Sequence, residues 1–209
     1  FNNSAQHSGA GIGCLFDCGT LFINNTEITN NNLISDGSNG GGLISRNGIV
    51  YMDSSIVSNN SAFTGGAFYS DESDWIISNS IFYNNLSNRY GALECHNGDL
   101  SLDHVTIFGN ETSDNTGGGI FIQNNYSSTT SSLDMSNSIV YGNIAPNYPG
   151  IYTENLSSSS VVYSNIQGGW EGGGNIDSDP LFCDINDEDF SLVSTSPCIL
   201  PNGDYMGAD

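Results

Sequence analysis

The stretch GGAFYSDESDWIISNSIFYNN, residues 65–85, contains one complete copy of a unit that returns along the chain. Its last part, SNSIFYNN (78–85), has four counterparts: NNTEITNN (24–31), DSSIVSNN (53–60), DHVTIFGN (103–110) and SNSIVYGN (136–143). The closing asparagines follow one another at steps of 29, 25, 25 and 33 residues. A repeat of this length is typical of a solenoid, in which each coil buries its apolar side only by stacking on its neighbours.

Alternation of side chains within residues 65–85 predicts three short strands in each coil. The inward positions of the other coils fall on the same register and give four columns: Ile12, Leu43, Phe68, Leu93, Ile120 and Ile151; Leu21, Val50, Trp75, Leu100 and Leu133; Ile23, Met52, Ile77, Leu102 and Met135; and Ile28, Val57, Phe82, Ile107 and Val140. The sequence therefore predicts an all-β fold, a right-handed parallel β-helix of about five to six coils over residues 1–168. An irregular capping segment, 169–209, follows in the same domain, and two stretches, 123–132 and 155–165, are predicted to protrude as loops.

The asparagine that ends the third strand of each coil has two interpretations. Stacked amides can hydrogen-bond along the solenoid and satisfy buried backbone groups, which predicts a ladder of Asn60, Asn85, Asn110 and Asn143. Alternatively, asparagine tolerates the left-handed backbone conformation that tight turns require. Both interpretations are compatible with the repeat.

Composition and charge exclude several classes of function. The 209 residues carry a formal net charge of −21, with Arg46 and Arg89 as the only lysine or arginine residues. Such a chain repels phosphate backbones and anionic membrane surfaces, so nucleic acid is excluded as a partner. The sequence also has no apolar run of the roughly 18 residues that a membrane span needs. The periodic aromatic and β-branched residues argue against a disordered chain.

The repeats and the C-terminal third together resemble a known family. The GGAFYS-type and NSIFYNN-type pieces resemble the parallel β-helix repeats of bacterial polymorphic outer-membrane and adhesin-like surface proteins. The block YSNIQGGWEGGGNIDSDPLFCDINDEDFSLVSTSPCI, followed by DYMGAD, is similar to the terminal segment of secreted β-helix proteins. The resemblance implies export to the cell surface or the extracellular medium. The chain departs from the family pattern at CILPNGD, where the family has an acid after the isoleucine.

Acidic residues of this C-terminal block form a candidate cation site. Calcium prefers six to eight oxygen ligands, and the stretch DINDED has the alternate-residue spacing of a calcium loop without its glycine and distal glutamate. The predicted ligands are Asp177, Asp179, Asp184, Asn186 and Glu188, and the predicted cofactor, if any, is Ca²⁺. The alternative is a solvated acidic turn.

The five cysteines allow two predicted disulfides. Cys183 and Cys198 lie in the block that implies export. A bridge between them would stabilise the protein by about 3 kcal/mol through closing a loop. Cys14 and Cys18 could pair across a turn. Cys95 shares the inward column of Cys14 but lies three coils away, beyond disulfide reach, which predicts a buried free thiol.

Outward positions of the third strand give a predicted contact surface. An apolar stripe on a soluble rod indicates an interface, whereas the alternative is ordinary strand propensity at solvent-facing positions. The stripe comprises Ile56, Ile81, Tyr83, Phe108, Ile139 and Tyr141.

Asn125 opens a glycosylation sequon in the predicted loop at 123–132, which makes it the preferred glycan acceptor.

No catalytic residues are predicted. β-Helix enzymes that cut acidic polysaccharides rely on lysine and arginine, and two arginines argue against an anionic substrate. The outward acids Asp74, Glu94, Asp99, Asp103 and Asp134 form no clear pair for hydrolysis of a neutral glycan. His7, His96 and His104 are isolated in the sequence.

The leading functional expectation is an exported, non-enzymatic structural or adhesive protein that assembles with copies of itself into filaments or a surface layer. The opening residues match the middle of a later repeat, so strand edges are expected to be open to pairing. The alternative is an extracellular protein that binds or cleaves carbohydrate, for which an aromatic-lined groove beside paired carboxylates would be diagnostic. Ice binding requires flat threonine arrays, which the sequence lacks.

Overall fold

The computed structural model describes residues 2–6, 8–33, 35–113, 116–125 and 130–208. These residues form an all-β fold in which parallel coils stack into a β-solenoid of about six turns. The predicted number of coils is confirmed. His7 and the middle of the predicted loop at 123–132, residues 126–129, lie outside the described ranges. Within those ranges, no helix is long and apolar enough to cross a membrane.

Within the described ranges, twenty-three strands build the solenoid and its C-terminal segment. In chain order they are β1 (Ser4–Ala5), β2 (Ile12–Cys14), β3 (Gly19–Asn24), β4 (Glu27–Thr29), β5 (Asn32–Leu33), β6 (Leu43–Asp53), β7 (Ile56–Ser58), β8 (Ser61–Thr64), β9 (Phe68–Ser78), β10 (Ile81–Tyr83), β11 (Leu86–Arg89), β12 (Leu93–His96), β13 (Leu100–Asp103), β14 (Thr106–Phe108), β15 (Glu111–Thr112), β16 (Ile120–Gln123), β17 (Ser132–Ser136), β18 (Ile139–Tyr141), β19 (Ile151–Glu154), β20 (Ser158–Val162), β21 (Asn165–Ile166), β22 (Phe182–Asp184) and β23 (Asp189–Leu192). A 3₁₀ turn, Ile185–Asp187, joins β22 to β23.

The coils present four walls. Wall 1 contains β2, β12, β16, β19 and the first halves of β6 and β9, and wall 2 contains β3, β13, β17, β20 and the second halves of β6 and β9. Wall 3 has the order β21-β18-β14-β10-β7-β4, and wall 4, which the sequence did not predict as strand, has the order β1-β5-β8-β11-β15. Between walls 1 and 2 the chain bends at Asn47, Glu72 and Asn97, each with a positive φ.

The predicted register of the inward columns is confirmed. Leu43 lies opposite Phe68, Phe68 opposite Leu93, and Leu93 opposite Ile120. The other three columns match in the same way, and they end at the C-terminal coil with Ser159, Val161 and Ile166. One continuous apolar cluster fills the interior of the solenoid. The stretch at 155–165 is not the predicted loop, because β20 lies within it and pairs in register with β17.

The third-strand asparagines form a hydrogen-bonded ladder through the interior. Asn60 Nδ2 donates to Asn85 Oδ1 at 3.0 Å, Asn85 Nδ2 to Asn110 Oδ1 at 3.0 Å, and Asn110 Nδ2 to Asn143 Oδ1 at 3.0 Å. The turn interpretation also holds, but for the preceding residue, since Asn59, Asn84, Gly109 and Gly142 adopt positive φ. Ladder and turn thus use adjacent residues.

The C-terminal segment after β21 does not simply cap the last coil. Trp170 packs against the end of the apolar interior, and Ile176 bridges Asn165 as the start of a further, incomplete coil. The chain then folds back along wall 3, where the antiparallel pair β22–β23 and the final residues lie against the outward side chains of β10, β14 and β18.

Candidate functional site

Two rows of outward side chains run along wall 1 in consecutive coils. Strand pairing places Tyr69, Glu94, Phe121 and Tyr152 in one row and Asp71, His96, Gln123 and Glu154 in the next. Tyr90, in the segment that connects β11 of wall 4 to β12 of wall 1, packs against Phe121 and His96 on this outer face. As a result, outward residues such as Glu94 and Phe121 are buried, whereas Tyr69 and Tyr152 remain partly exposed.

Glu94 and His96 form a buried acid–imidazole pair at the centre of these rows. Only 1% of Glu94 and 8% of His96 is exposed, and Glu94 Oε1 lies 2.7 Å from His96 Nε2. On the other side of the ring, Asn125 Nδ2 donates to His96 Nδ1 at 3.1 Å. Because Nδ1 accepts this bond, the ring proton lies on Nε2, which donates a hydrogen bond to the Glu94 carboxyl.

The environment of Glu94 disfavours its ionised form. Burial raises the pKa of the Glu94 carboxyl, and the hydrogen bond from His96 opposes this only in part. The second carboxyl oxygen, Oε2, is buried and has no hydrogen-bond partner. Glu94 therefore retains its proton to higher pH than an exposed glutamate.

Aromatic rings surround this pair and continue along wall 1. The rings of Tyr69 and Tyr90 lie 5.4 and 6.4 Å from that of His96. Phe121 contacts Tyr90 at 4.3 Å and stacks on Tyr152 at 5.5 Å, and Tyr152 contacts Tyr148 at 5.3 Å. We call Tyr69, Tyr90, Phe121, Tyr148 and Tyr152 the aromatic face. Its four tyrosines are accessible to solvent, and Phe121 is buried beneath them.

Both arginines of the chain lie on the aromatic face. The guanidinium carbon of Arg46 lies 5.9 Å from the ring centre of Tyr69, and that of Arg89 lies 5.0 Å from the ring centre of Tyr90. At these distances each cation interacts with the negative face of its ring. The only two permanent cations of a chain with a net charge of −21 are thus on one side of the solenoid.

The predicted calcium ligands are not brought together. Asp177 accepts from the Gly168 amide, Asp179 from the Leu181 amide, and Asp184 caps the 3₁₀ turn by accepting from the amides of Asn186 and Asp187. Glu188 accepts from the Tyr83 hydroxyl. Across the described ranges, no group of three or more His, Cys, Asp or Glu side chains is arranged to hold a metal ion. The alternative interpretation, acidic turns, describes this segment.

One of the two predicted disulfides is present. Cys14 and Cys18 are bridged, with their Cα atoms 5.4 Å apart. The predicted bridge between Cys183 and Cys198 is wrong, since both are free thiols. Cys198 is buried with Ile139 and Met206 and accepts from Asn165 Nδ2, whereas Cys183 is exposed on β22. Cys95 is buried and free, as predicted.

The predicted self-association stripe on wall 3 is largely covered by the chain itself. Phe190 packs against Tyr83 and Phe108, with ring centres 5.1 and 5.7 Å apart. Ile139 is fully buried, and Tyr141 packs against the same cluster. The stripe is therefore wrong as a free contact surface at Tyr83 and Ile139, which are buried. Phe108 and Tyr141 are partly covered. Ile56 and Ile81 remain partly exposed.

Two further expectations concern Asn125 and the histidines. Asn125 is exposed, but its side-chain nitrogen, to which a glycan would attach, is engaged by His96. The expectation that His96 is isolated is wrong, because Glu94 and Asn125 both bond to its ring. The E-x-H spacing of residues 94–96 puts both side chains on one side of a strand, and this signal in the sequence could have identified the pair.

Comparison of the chain with protein-family models, with curated proteins and with solved structures finds no match.

Proposed function

We propose that this protein binds carbohydrate through the aromatic face of wall 1, as a non-enzymatic protein of the cell surface or the extracellular medium. One observation carries the proposal: the aromatic face spans four consecutive coils, and Tyr90, Tyr152 and Tyr148 contact one another through Phe121 or directly. The ring of Tyr69 connects to Phe121 through the ring of His96. Flat rings offer apolar area to the faces of sugar rings at low cost in conformational entropy.

Polar groups beside the rings suit the edges of a sugar. Gln123 Nε2 donates to Glu154 Oε2 at 2.6 Å, and Asn97 Nδ2 donates to Asp71 Oδ1 at 3.0 Å. These pairs fix the orientation of amides and carboxylates next to Tyr152 and Tyr69. A mixture of aromatic platforms and a few oriented polar groups is characteristic of ligand sites.

Burial favours binding over cleavage. A general acid must lie within hydrogen-bond reach of the glycosidic oxygen, and Glu94 is too enclosed to touch a ligand on the outside of wall 1. The pair of Glu94 and His96 instead holds the rings of Tyr69, Tyr90 and Phe121 in place from beneath. Export, which the resemblance implies, is supported by the Cys14–Cys18 bridge, because disulfides persist in oxidising compartments.

Tyr152→Ala tests the proposal directly. A glycan array first selects the oligosaccharide, and calorimetry then measures its Kd. We expect Tyr152→Ala to weaken binding about tenfold, equivalent to about 1.4 kcal/mol, because a central aromatic platform is lost. The matched control is Tyr163→Ala, which removes an exposed tyrosine from a different part of the solenoid and is expected to leave Kd unchanged. Equal affinities for Tyr152→Ala and the native chain would contradict the proposal.

A second candidate function is self-assembly, and an exposed patch on wall 2 favours it. Phe22 stacks on Tyr51 with ring centres 5.2 Å apart, and Ile76 lies beside Tyr51 in the next coil. Phe22 is 67% exposed, and Tyr51, Ile49 and Ile76 are each exposed by more than a third. In the later coils the outward positions beside Ile76 are Ser101, Asp134 and Ser160, so the apolar patch is local and could pair one copy with another.

Sedimentation velocity at low and high salt tests this second candidate. Screening shortens the range of repulsion between chains of charge −21, so association through an apolar patch is expected to increase with salt. The double variant Tyr51→Ser, Ile76→Ser is expected to sediment as a monomer under conditions in which the native chain associates. A native chain that stays monomeric in high salt and in calcium excludes assembly.

A further inference from the structure

The two arginines of the aromatic face have unused hydrogen-bond donors. From this we infer that the carbohydrate ligand is acidic, and that Arg46 and Arg89 bind carboxylates of its uronic acid units. The inference rests on the proposed function and specifies its ligand class. It is opposite to the expectation that a chain with only two arginines does not take an anionic polysaccharide as substrate.

Arg46 has a carboxylate close at hand and does not pair with it. Asp71 lies directly opposite Arg46 in the next coil, yet the Asp71 carboxylate accepts from Asn97 Nδ2 instead. The Arg46 guanidinium turns over the ring of Tyr69, and its Nε is buried without a hydrogen-bond partner. Nε is enclosed by the protein, so a ligand carboxylate can reach only the terminal nitrogens of the Arg46 guanidinium.

Arg89 is held in a similar way on the other side of the site. Its Nη2 donates to the Tyr90 hydroxyl at 3.1 Å, and its guanidinium lies over the same ring. Within the part of the chain that the structure describes, the ion pairs involve His96 and His104 only, so no carboxylate pairs with either arginine. Among the described residues, both guanidinium groups thus have no carboxylate partner.

The two arginines flank one centre. The Arg46 guanidinium lies over the Tyr69 ring and the Arg89 guanidinium lies over the Tyr90 ring. Both rings contact His96. Arginine forms two parallel hydrogen bonds to a carboxylate, and stacking on an aromatic ring orients the guanidinium for them. A chain of uronic acid units would place carboxylates on the two arginines and sugar faces on Tyr148 and Tyr152, because the arginines lie over the rings of the other two tyrosines.

Net charge does not forbid this ligand. At physiological ionic strength the Debye length is about 8 Å, so the distant acids of the solenoid are largely screened at wall 1. The nearby carboxylates of Asp71 and Glu154 keep their charge, and each accepts a hydrogen bond from a neutral amide, that of Asn97 and that of Gln123. The carboxyl of Glu94 is buried, and its raised pKa favours the uncharged form. The two guanidinium groups must therefore attract the ligand carboxylates at contact distance, against the nearby charge of Asp71.

The test compares a short oligogalacturonate with the same oligomer after reduction of its carboxyls to alcohols. By calorimetry, we expect the acidic oligomer to bind at least about tenfold more tightly, because charge-assisted bonds to arginine are lost on reduction. Arg46→Gln and Arg89→Gln should each weaken binding of the acidic oligomer about tenfold and leave the reduced oligomer unaffected. Thermal unfolding of each variant verifies that the solenoid is intact.

The outcomes separate the inference from the proposed function. Equal binding of the acidic and reduced oligomers, with loss of both in Tyr152→Ala, overturns the acidic ligand but supports carbohydrate binding. Binding of neither oligomer, together with an unresponsive glycan array, overturns both. Arg46→Lys provides a further readout: it retains the charge without the planar fork, so an intermediate affinity supports bidentate recognition, and native affinity contradicts it.

Discussion

Asn85→Ala is expected to destabilise the protein by about 4 kcal/mol, through the loss of several buried hydrogen bonds. Asn85 is 1% exposed and is central to the ladder. Its Oδ1 accepts from the backbone amide and the side chain of Asn60, at 3.1 and 3.0 Å. Its Nδ2 donates to the carbonyls of Val57 and Tyr83 and to Asn110 Oδ1.

In Asn85→Ala these partners stay buried and cannot form replacement hydrogen bonds with water. Each orphaned donor or acceptor costs about 1–3 kcal/mol. Some partners retain a second bond, since Asn60 Nδ2 also donates to the Ile28 carbonyl and Asn110 Oδ1 still accepts from the Asn85 amide. The Asn60 backbone amide has no such substitute and bears its full penalty. Because other partners retain a bond, the total stays well below the sum of five full penalties.

Urea denaturation monitored by circular dichroism measures the effect. The matched control is Asn88→Ala, which removes an exposed asparagine three residues away and is expected to change the free energy of unfolding by less than about 0.5 kcal/mol. A similarly small change for Asn85→Ala would show that the ladder contributes nothing to stability.

Trp75→Ala is expected to cost about 4 kcal/mol, the typical loss for an aromatic core residue. Trp75 is 1% exposed and stacks on Phe68 within the same coil, with ring centres 4.0 Å apart and planes inclined by 7°. Adjacent coils supply Val50 and Leu100 above and below the indole. Its removal leaves a cavity that the stacked backbone cannot collapse to fill.

Trp75→Phe is expected to behave differently from Trp75→Ala. The indole Nε1 is buried and has no hydrogen-bond partner, so the native chain already bears the cost of an unsatisfied donor. Phenylalanine removes that donor and retains most of the stacking, and we expect a net loss below about 1 kcal/mol. Unfolding in urea of both variants provides the measurement. Equal destabilisation by alanine and phenylalanine would mean that the indole nitrogen is satisfied in solution.

Short-range regularities made the interior of the solenoid predictable. The alternation at Phe68, Trp75 and Phe82 repeats every coil, so each position reveals its neighbour above and below. The ladder asparagines were predictable for the same reason. Wall 4 was missed because SAFT (61–64) is short and carries little apolar alternation.

Outward positions were predicted far less well. Tyr83 and Phe108 point outward as expected, but their cover comes from Phe190 and Glu188, about a hundred residues away in the chain. Cys198 faces Asn165 rather than Cys183 because the C-terminal segment folds back along wall 3. No local pattern in the sequence predicts that the C-terminal segment returns along wall 3.

The sequence by itself determined the coil, its register and the residues that face inward, because strand alternation and a constant repeat fix which side chains meet in adjacent coils. Only the tertiary structure decided which outward side chains are buried and which are free. It joined Glu94, His96 and Asn125, and it placed both arginines over tyrosine rings on one wall. The physical reason is that outward burial depends on connecting and terminal segments from distant parts of the chain, whose paths over the surface are set by the packing of the whole.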